Sequence, residues 1–526
     1  MQIIKSNRTQ FEYDIQAILK SFFPEWEPHM LAPDSPIRDR RILEGEPVME
    51  LFFGEREVTL TILEECFCRY RHKGLHNLEG CESEGTEEIK NSLHKYDVRG
   101  GAEEETGRPV YTWRPGEREG TPAYKNGFKR FFYVSVCNET GMTLPWGNLT
   151  GIRPTKIAMT MMEQGEDKEE IAAYLRKMHL VSEEKTRLAI EIAEREQEIL
   201  RTLHYENGYS LYVGIPFCPT TCLYCSFTSY PIGAWQKRVD EYLTALGREI
   251  DETAKLFREQ ILDTVYIGGG TPTSLSAEQL ERLLKRLKTA FDFSSVQEFT
   301  VEAGRADSIT EEKLRVLYEN GVTRISVNPQ TMKQETLDLI GRRHTVEQVE
   351  EAFHLARRVG FSNINMDMIL GLPGETAADV SHTIQAIQAL SPDALTVHSL
   401  AVKRASRMGR WIEENGVTAY NNTEEIMEIA ARGAADLDMV PYYLYRQKNM
   451  SGNFENVGYA REGKYGIYNI LIMEEKQTIV ACGAGSISKR VYPDGRIERC
   501  ENVKDVASFI ERIDEMIERK RKLLEE

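Results

Sequence analysis

The stretch "CPTTCLYC" places three thiols, those of Cys218, Cys222 and Cys225, within eight positions. Three cysteines on so short a loop can ligate one metal centre, but they leave tetrahedral zinc or a four-iron cubane one protein ligand short. The following "SFTSYPIGAW" supplies neither another Cys nor a His, which disfavours a structural zinc site. An incomplete ligand set suits a catalytic cluster, because the remaining iron can bind a small molecule.

The other six cysteines are widely spread and are expected to be ordinary core or surface residues. They are Cys66, Cys68, Cys81, Cys137, Cys482 and Cys500. Nine cysteines in 526 residues are too sparse for a disulfide scaffold, so free thiols are expected. Cys66 and Cys68 would share one face of a strand, but no third ligand lies near them in sequence, which disfavours a second metal site.

Composition limits the classes of function. A chain of 526 residues implies about two to four domains, and a hydrophobic fraction of 41% with mean hydropathy -0.45 predicts a globular protein. No window approaches the roughly 18 apolar residues of a membrane span, and the start lacks a signal-peptide pattern. We therefore expect a cytoplasmic protein that does not bind membranes. A formal net charge of -17 disfavours nucleic acid as a partner and favours small molecules or proteins.

The elements that must position the thiols begin at residue 209, where short apolar runs alternate with amphipathic helices. The runs are "SLYVGI", "DTVYIGGG", "EFTVEAG", "TRISVNP", "NINMDMILGLP" and "DALTVHSL". Their spacing of about 30 residues is typical of βα units, so we predict parallel strands curved into a barrel or partial barrel. Reactive groups in such folds lie at the carboxyl ends of the strands, which places "GGGTPT", Glu302, Asn328 to Gln330 and Asp367 on one rim.

The remaining chain predicts three further segments. Residues 1–150 form a small α+β domain, with a helix at "FEYDIQAILKSFF", strands at "EVTLTILEECFC" and "FKRFFYVSV", and a long acidic loop over 73–127. Residues 151–207 form a helical connector, 208–402 the barrel, and 403–526 an α+β cap that covers the substrate.

The order C-x3-C-x2-C followed by "VYIGGGTPT" resembles the radical S-adenosylmethionine (SAM) enzymes. Together with "YVGIPFC", "CLYCSF", "GRRH", "DMILGLPGET" and "GAGSIS", it resembles the oxygen-independent coproporphyrinogen III oxidase family over residues 209–490. The HemZ-type coproporphyrinogen dehydrogenases are the most similar branch, because that resemblance extends to "LPWGNLTGIRP" and "LYRQKNMSGNFENVGYA". It implies a partial (β/α)6 barrel with an N-terminal α+β domain and a C-terminal α+β cap.

The resemblance also implies the roles of individual residues. Cys218, Cys222 and Cys225 would ligate a [4Fe-4S] cluster whose open iron chelates SAM, the source of a 5'-deoxyadenosyl radical. The contacts to this SAM would come from Tyr212, Gly269, Glu302 and Ile487. A second SAM would be contacted by Gln330, Arg342 and Asp367 and by the backbone of Tyr224, Gly270, Thr271 and Ala401.

Each of these residues also has a structural interpretation. Glu302 and Asp367 could be strand-end carboxylates bound by helix N-termini or by Arg. Arg342 could be an ordinary surface charge, and Gln330 follows Pro329, which suits a turn as well as a contact.

The reaction implied by the resemblance is oxidative decarboxylation of coproporphyrinogen III propionates to vinyl groups. Reduced flavodoxin or ferredoxin would donate the electron. The anionic propionates would seek cations, and Arg305, Arg446 and Lys448 are candidates.

Two alternatives remain open. Sister families include porphyrin methyltransferases and heme ring-opening enzymes, and a heme-binding chaperone would use the same cluster without turnover. The chaperone needs an axial heme ligand, for which His344, His398 and Cys482 are candidates. Phe227 stands where the oxidases have a further cysteine, and Gly214 where oxidases and chaperones share a histidine.

Overall fold

The computed structural model describes residues 2–23, 26–33, 46–63, 98–102, 108–205, 207–402, 406–415, 422–447 and 454–525. These residues form two compact units, one of residues 1–190 with 446–454 and one of residues 191–445 with 455–526. Within the described ranges, no helix has the length and apolar character needed to cross a membrane.

The first unit is a six-stranded sheet with helices. Its strands are β1 (Gln2–Ser6), β2 (Pro28–Leu31), β3 (Pro47–Phe53), β4 (Val58–Ile62), β5 (Val98–Ala102) and β6 (Pro109–Trp113), in the order β2-β1-β3-β4-β6-β5. Its helices are α1 (Glu12–Phe22), α2 (Pro122–Thr140), α3 (Thr155–Glu163), α4 (Lys168–His179) and the start of α5 (Glu183–Leu200). The predicted connector thus contributes α3 and α4 to this unit.

The segment "FKRFFYVSV" lies in helix α2, so the predicted strand is wrong. Thr121 caps the helix by accepting a hydrogen bond from the backbone N–H of Tyr124 at 3.2 Å. Phe128, Phe131 and Phe132 are buried and recur at helical spacing, which makes one aromatic face. The sequence predicted a strand here because aromatic residues have a high β-propensity, which outweighed their helical spacing in the prediction.

The predicted acidic loop over 73–127 is wrong where the structure describes it. β5 pairs antiparallel with β6, β6 pairs with β4, and α2 begins at Pro122. Tyr111 and Trp113 of β6 are buried in the core of the unit. Residues 73–97 and 103–107 lie outside the described residues, as do Cys66, Cys68 and Cys81.

The second unit contains the predicted barrel. Its strands are β7 (Gly208–Ile215), β8 (Phe217–Cys218), β9 (Tyr230–Pro231), β10 (Ile261–Gly269), β11 (Glu298–Gly304), β12 (Arg324–Val327), β13 (Ile364–Leu370), β14 (Ala394–Ser399), β15 (Val440–Tyr445), β16 (Asn456–Ala460), β17 (Thr478–Cys482), β18 (Ile487–Val491) and β19 (Ile497–Glu501). The helices are α6 (Val239–Leu256), α7 (Ala277–Ala290), α8 (Glu311–Glu319), α9 (Gln334–Leu339), α10 (Val346–Val359), α11 (Ala377–Leu390), α12 (Met408–Asn415), α13 (Glu424–Ala435), α14 (Ile467–Glu474), α15 (Val506–Glu511) and α16 (Ile513–Glu525).

The main sheet confirms the predicted α/β fold class and extends it. Its order is β15-β16-β14-β13-β12-β11-β10-β7-β17-β18-β19, and the strands from β14 to β17 in this order are parallel to one another. β17 is thus a seventh parallel strand beside the six predicted. The C-terminal region supplies β15 to β19 to this sheet instead of forming a separate layer.

The strand register aligns polar side chains on one face of the sheet. Tyr212, Tyr266, Thr300 and Arg324 are direct partners across β7, β10, β11 and β12. Two residues closer to the carboxyl ends of the strands, Glu302 pairs with Ser326, and Ser326 pairs with Asn365. Alternate residues such as Leu211, Val265 and Ile325 are buried on the opposite face.

Candidate active site

The cysteine loop is attached to the glycine loop through main-chain hydrogen bonds. The N–H of Gly270 donates to the carbonyl of Ile215 at 2.8 Å, and that of Thr271 to the carbonyl of Phe217 at 2.7 Å. A Cβ at position 270 would stand 2.6 Å from the oxygen of Phe217. Glycine is therefore required for the close approach that places Cys218 beside the end of β10.

The far side of the cysteine loop is held by the segment after α9. Leu223 N–H donates to the carbonyl of Ile340 at 2.9 Å, and Thr220 Oγ1 donates to the carbonyl of Gly341 at 3.1 Å. The loop is therefore fixed from both sides without using a cysteine side chain.

Each cysteine sulfur has its own polar neighbour. Thr271 Oγ1 donates to Cys218 Sγ at 3.4 Å, and Ser229 Oγ lies 3.8 Å from Cys225 Sγ. Arg305 Nη1 lies 3.8 Å from Cys222 Sγ. Such donors stabilise the negative charge of a ligating thiolate.

The geometry of the thiols bears on the kind of centre they could hold. Across the described part of the chain, no three His, Cys, Asp or Glu side chains converge as ligands of a single metal ion. In a cubane, each cysteine sulfur binds a different iron and need not converge with the others on one ion. Three sulfurs on one loop, each with its own hydrogen-bonding neighbour, therefore fit a cluster better than mononuclear zinc.

Glu302 lies near the carboxyl end of β11 in a buried environment. Tyr266 Oη donates to Glu302 Oε1 at 2.5 Å. Burial raises the pKa of Glu302 to about 7, and the nearby Asp367 also raises it, while the Tyr266 bond opposes the shift. This carboxyl group can change its charge near neutral pH.

Tyr212 belongs to a cluster of three tyrosines inside the barrel. The ring centroids of Tyr266 and Tyr468 lie 4.5 Å apart, and each is 6.1 Å from that of Tyr212. The sequence analysis identified Tyr212 but missed the other two. Tyr266 precedes Gly268 by two positions on β10, so both residues lie on the same face of the strand, and this spacing could have revealed Tyr266 in the sequence. Tyr468 lies on α14, where no sequence motif indicates a role in the site.

Asp367 is a second, partly buried carboxylate on β13 with the opposite behaviour. Burial opposes its ionisation, but the nearby His398 and a hydrogen bond from Asn365 outweigh this and lower the pKa of Asp367. Asn365 Nδ2 donates to Asp367 Oδ1 at 2.6 Å, and His398 Nε2 lies 3.9 Å from Asp367 Oδ2. The site therefore combines an anionic carboxylate with a titratable one.

Gln330 adopts a left-handed backbone with φ 69°, which is uncommon for a residue other than glycine. Its N–H donates to the carbonyl of Asp367, and its carbonyl accepts from Ile369, both at 2.9 Å. The buried atoms Asn328 Oδ1, Gln330 Oε1 and Arg342 Nε have no hydrogen-bond partner among the described residues. Unpartnered polar atoms beside a strained residue indicate room for a polar ligand.

The other predicted contact residues lie on the same edge of the sheet or in the adjoining loops. Tyr224 neighbours Arg342, which is itself buried. Ala401 follows β14, and Ile487 opens β18 with 42% of its surface exposed.

The cations predicted to bind propionates have different positions. Arg305 is buried and already binds Asp307 at 2.6 Å, which argues against a propionate contact. Arg446 is buried in the first unit and donates to the carbonyl of Leu149 at 2.5 Å. Lys448 lies outside the described residues.

The predicted heme ligands also differ in access. His344 and Cys482 are fully buried, and Cys482 Sγ lies 3.4 Å from Lys520 Nζ. The side chain of His398 is 28% exposed, which makes it the most accessible of the three.

Comparison with known proteins identifies the family. A sequence profile of the Radical SAM superfamily matches residues 212–387. The Bacillus subtilis oxygen-independent coproporphyrinogen-III oxidase-like protein HemZ is 43% identical over 415 residues, covering 78% of this chain and 83% of HemZ. The chain belongs to the radical SAM family that contains HemZ. Membership implies a [4Fe-4S] cluster and SAM as cofactors.

Relatives within the same superfamily have different names. The Bacillus subtilis heme chaperone HemW is 42% identical over 195 residues, 37% of this chain and 51% of HemW. The Escherichia coli oxygen-independent coproporphyrinogen III oxidase is 34% identical over 217 residues, 40% of this chain and 47% of the oxidase. The solved structure of the Escherichia coli oxidase HemN has a TM-score of 0.50 at 24% identity, covering 61% of this chain and 72% of HemN, which shows a shared fold.

Proposed function

We propose that Cys218, Cys222 and Cys225 ligate a [4Fe-4S] cluster and that SAM binds beside it. The donors on each sulfur and the glycine loop support this assignment. Glu302 would accept a hydrogen bond from the SAM amino group, with Gly269 and Tyr212 beside it and Ile487 against the adenine.

A second SAM is proposed on the neighbouring strands. Gln330, Arg342 and Asp367 would contact it, together with the backbone of Tyr224, Gly270, Thr271 and Ala401. The unpartnered atoms Gln330 Oε1 and Arg342 Nε support this part of the proposal.

The proposed reaction is oxidative decarboxylation of coproporphyrinogen III propionates to vinyl groups, giving protoporphyrinogen IX. When bound, the cluster and SAM supply a 5'-deoxyadenosyl radical able to remove hydrogen from an unactivated carbon. The residues of this chain would orient the substrate, and the buried barrel face would exclude water from it. Reduced flavodoxin or ferredoxin is the proposed electron donor.

The observation that carries the substrate assignment is the 43% identity with HemZ over most of both chains. The test is anaerobic incubation of the reconstituted protein with SAM, dithionite and coproporphyrinogen III. We expect protoporphyrinogen IX and 5'-deoxyadenosine as products. Formation of 5'-deoxyadenosine without decarboxylation would refute this substrate.

Two cysteine variants distinguish loss of the cluster from a general loss of folding. Cys222→Ser should abolish the cluster absorbance near about 400 nm together with turnover. Cys500→Ser, on β19 and outside the cysteine loop, should retain both.

A heme-binding chaperone is the second candidate, supported by the similarity to HemW and by Phe227, which is 73% exposed just after Cys225. His398 would be its most accessible heme ligand. Stoichiometric heme binding without SAM cleavage, lost in His398→Ala, would favour this function over decarboxylation.

A further inference from the structure

Arg305 is a buried cation placed directly after β11, beneath the cysteine loop. Only 2% of its surface is exposed. The preceding Gly304 has φ 63°, a left-handed conformation that turns the chain back towards the loop at this point. A permanently charged side chain in so buried a position requires specific partners.

Those partners fix the orientation of the guanidinium. Nε donates to Asp307 Oδ1 at 3.0 Å and Nη2 to Asp307 Oδ2 at 2.6 Å, a bidentate pair. Nη1 faces the other way, donating to Thr220 Oγ1 at 2.7 Å and to the Thr220 carbonyl at 3.1 Å. The same Nη1 lies 3.8 Å from Cys222 Sγ.

The three cysteines are therefore not equivalent. Cys218 and Cys225 have hydroxyl neighbours, whereas Cys222 faces a guanidinium. Arg342 also neighbours Cys222, which places two cationic side chains near one sulfur. Cys222 is also the most buried of the three, so water screens these charges least there.

We propose that Arg305 is a positioning residue that raises the reduction potential of the cluster through Cys222. This inference rests on the proposed cluster ligands. Reduction adds one electron to the cluster, supplied by the external reductant, and no bond is made or broken. A buried cation and an N–H donor at the ligating sulfur stabilise the added negative charge, and hydrogen bonding to sulfur is an established determinant of cluster potential.

The negative charge of Asp307 limits the rise in reduction potential that Arg305 causes. Removing that charge should shift the potential in the opposite direction from removing Arg305. Burial opposes the ionisation of Asp307, but the neighbouring His344 and the bonds and charge of Arg305 outweigh it and lower the pKa of Asp307, so it stays ionised and partly cancels the guanidinium charge. His344 Nδ1 lies 3.8 Å from Asp307 Oδ1, and burial lowers the pKa of His344, which keeps it neutral near pH 7. Removing the Asp307 charge should therefore leave the cluster facing a more positive environment.

The test is a reductive titration of the reconstituted protein without SAM, followed by electron paramagnetic resonance of the reduced cluster. Arg305→Met should lower the midpoint potential, and Asp307→Asn should raise it. Arg407→Met is the matched control, because Arg407 donates to the Thr221 carbonyl at 2.5 Å in the same loop without touching a sulfur. Its potential should equal that of the wild type.

Equal potentials in the wild type, Arg305→Met and Asp307→Asn would overturn the proposal, as would shifts of the same sign in both variants. If Arg305→Met fails to assemble a cluster, Asp307→Asn decides: a raised potential supports the proposal, and an unchanged or lowered one refutes it. Absence of a [4Fe-4S] signal in the wild type would instead refute the cluster assignment.

Discussion

Two partly buried carboxyl groups illustrate what single residues contribute to the site. Glu302 and Asp367 lie on strands separated only by β12, yet the pKa of Glu302 is raised and that of Asp367 is lowered. Their positions on strand ends could be predicted from the sequence. Their charge states could not, because these depend on Tyr266 and His398, which the sequence places on other strands.

The raised pKa of Glu302 predicts that SAM binding depends on pH. Below about pH 7 the carboxyl group is protonated and would lose the charge attraction proposed for the SAM amino group. SAM affinity should therefore rise about tenfold between about pH 6 and pH 8, in proportion to the ionised fraction. Equilibrium dialysis of the reconstituted protein measures this.

Glu302→Gln serves as the control for that dependence, since its amide does not titrate. The variant should bind SAM weakly with a flat pH profile. A profile identical to that of the wild type would show that Glu302 is not the titrating group.

At the scale of elements, the glycine loop after β10 connects sequence to chemistry most directly. The motif could be recognised in the sequence because glycine is required where two main chains approach so closely that no side chain fits between them. The contacted partner, Phe217, could not be identified without the register of β7 and β10.

Gly270→Ala should weaken cluster retention, because its Cβ would stand 2.6 Å from the carbonyl oxygen of Phe217 and push the cysteine loop away. The iron content after reconstitution and gel filtration measures the effect. Gly233→Ala is the matched control, since no atom lies within 4 Å of its Cβ. Equal iron content in the two variants would contradict the steric argument.

Helix α2 shows how an element is misread when its residue types favour another structure. Phe128 has stacked aromatic contacts with Phe11 at 4.3 Å and with Phe53 at 5.6 Å between ring centroids. These partners come from distant segments, so tertiary packing overrides the local β-propensity.

Phe128→Ala should destabilise the first unit by about 3–5 kcal/mol, the usual cost of a large cavity in an aromatic core. Urea titration followed by circular dichroism measures it. Phe52 lies on β3 of the same unit and is 59% exposed. Phe52→Ala should therefore change stability by no more than about 0.5 kcal/mol. Equal losses in both variants would contradict the assigned core.

At the scale of the molecule, the C-terminal segment closes the second unit. Lys520 of α16 and Glu249 of α6 form a buried ion pair at 2.7 Å. Glu249 also accepts hydrogen bonds from Gly483 and Asn502, which ties both helices to the segments that follow β17 and β19. The sequence predicted a cap from residue 403, but the long-range pairing of β17 with β7 gave no local signal.

Lys520→Met should destabilise the second unit by about 3–5 kcal/mol, because Glu249 would remain buried without its counterion. Thermal unfolding of the apo protein measures this. The nearby exposed Lys522→Met is the control and should leave the midpoint unchanged. A wild-type midpoint for Lys520→Met would show that hydrogen bonds from Gly483 and Asn502 suffice.

The barrel could be predicted in outline because βα alternation is a local pattern, whereas in the first unit the sequence predicted helix α1 and strand β4 but not the rest of the sheet. Its strands β5 and β6 are short, follow a glycine-rich acidic stretch, and are stabilised by pairing with β4. The grouping of the three cysteines on one loop was predictable from their spacing, while the burial of Arg305 and its pairing with Asp307 depend on tertiary structure.

The bonds that attach the cysteine loop to the glycine loop run between peptide groups, and this has an evolutionary consequence. Peptide hydrogen bonds persist when neighbouring side chains are exchanged, so the attachment of the cysteine loop to the glycine loop is insulated from drift at exposed positions such as Phe227. Lineages can therefore change the exposed residues around these loops while inheriting the same main-chain attachment. Oxidase and chaperone names among relatives of one chain are the pattern that such insulation would leave.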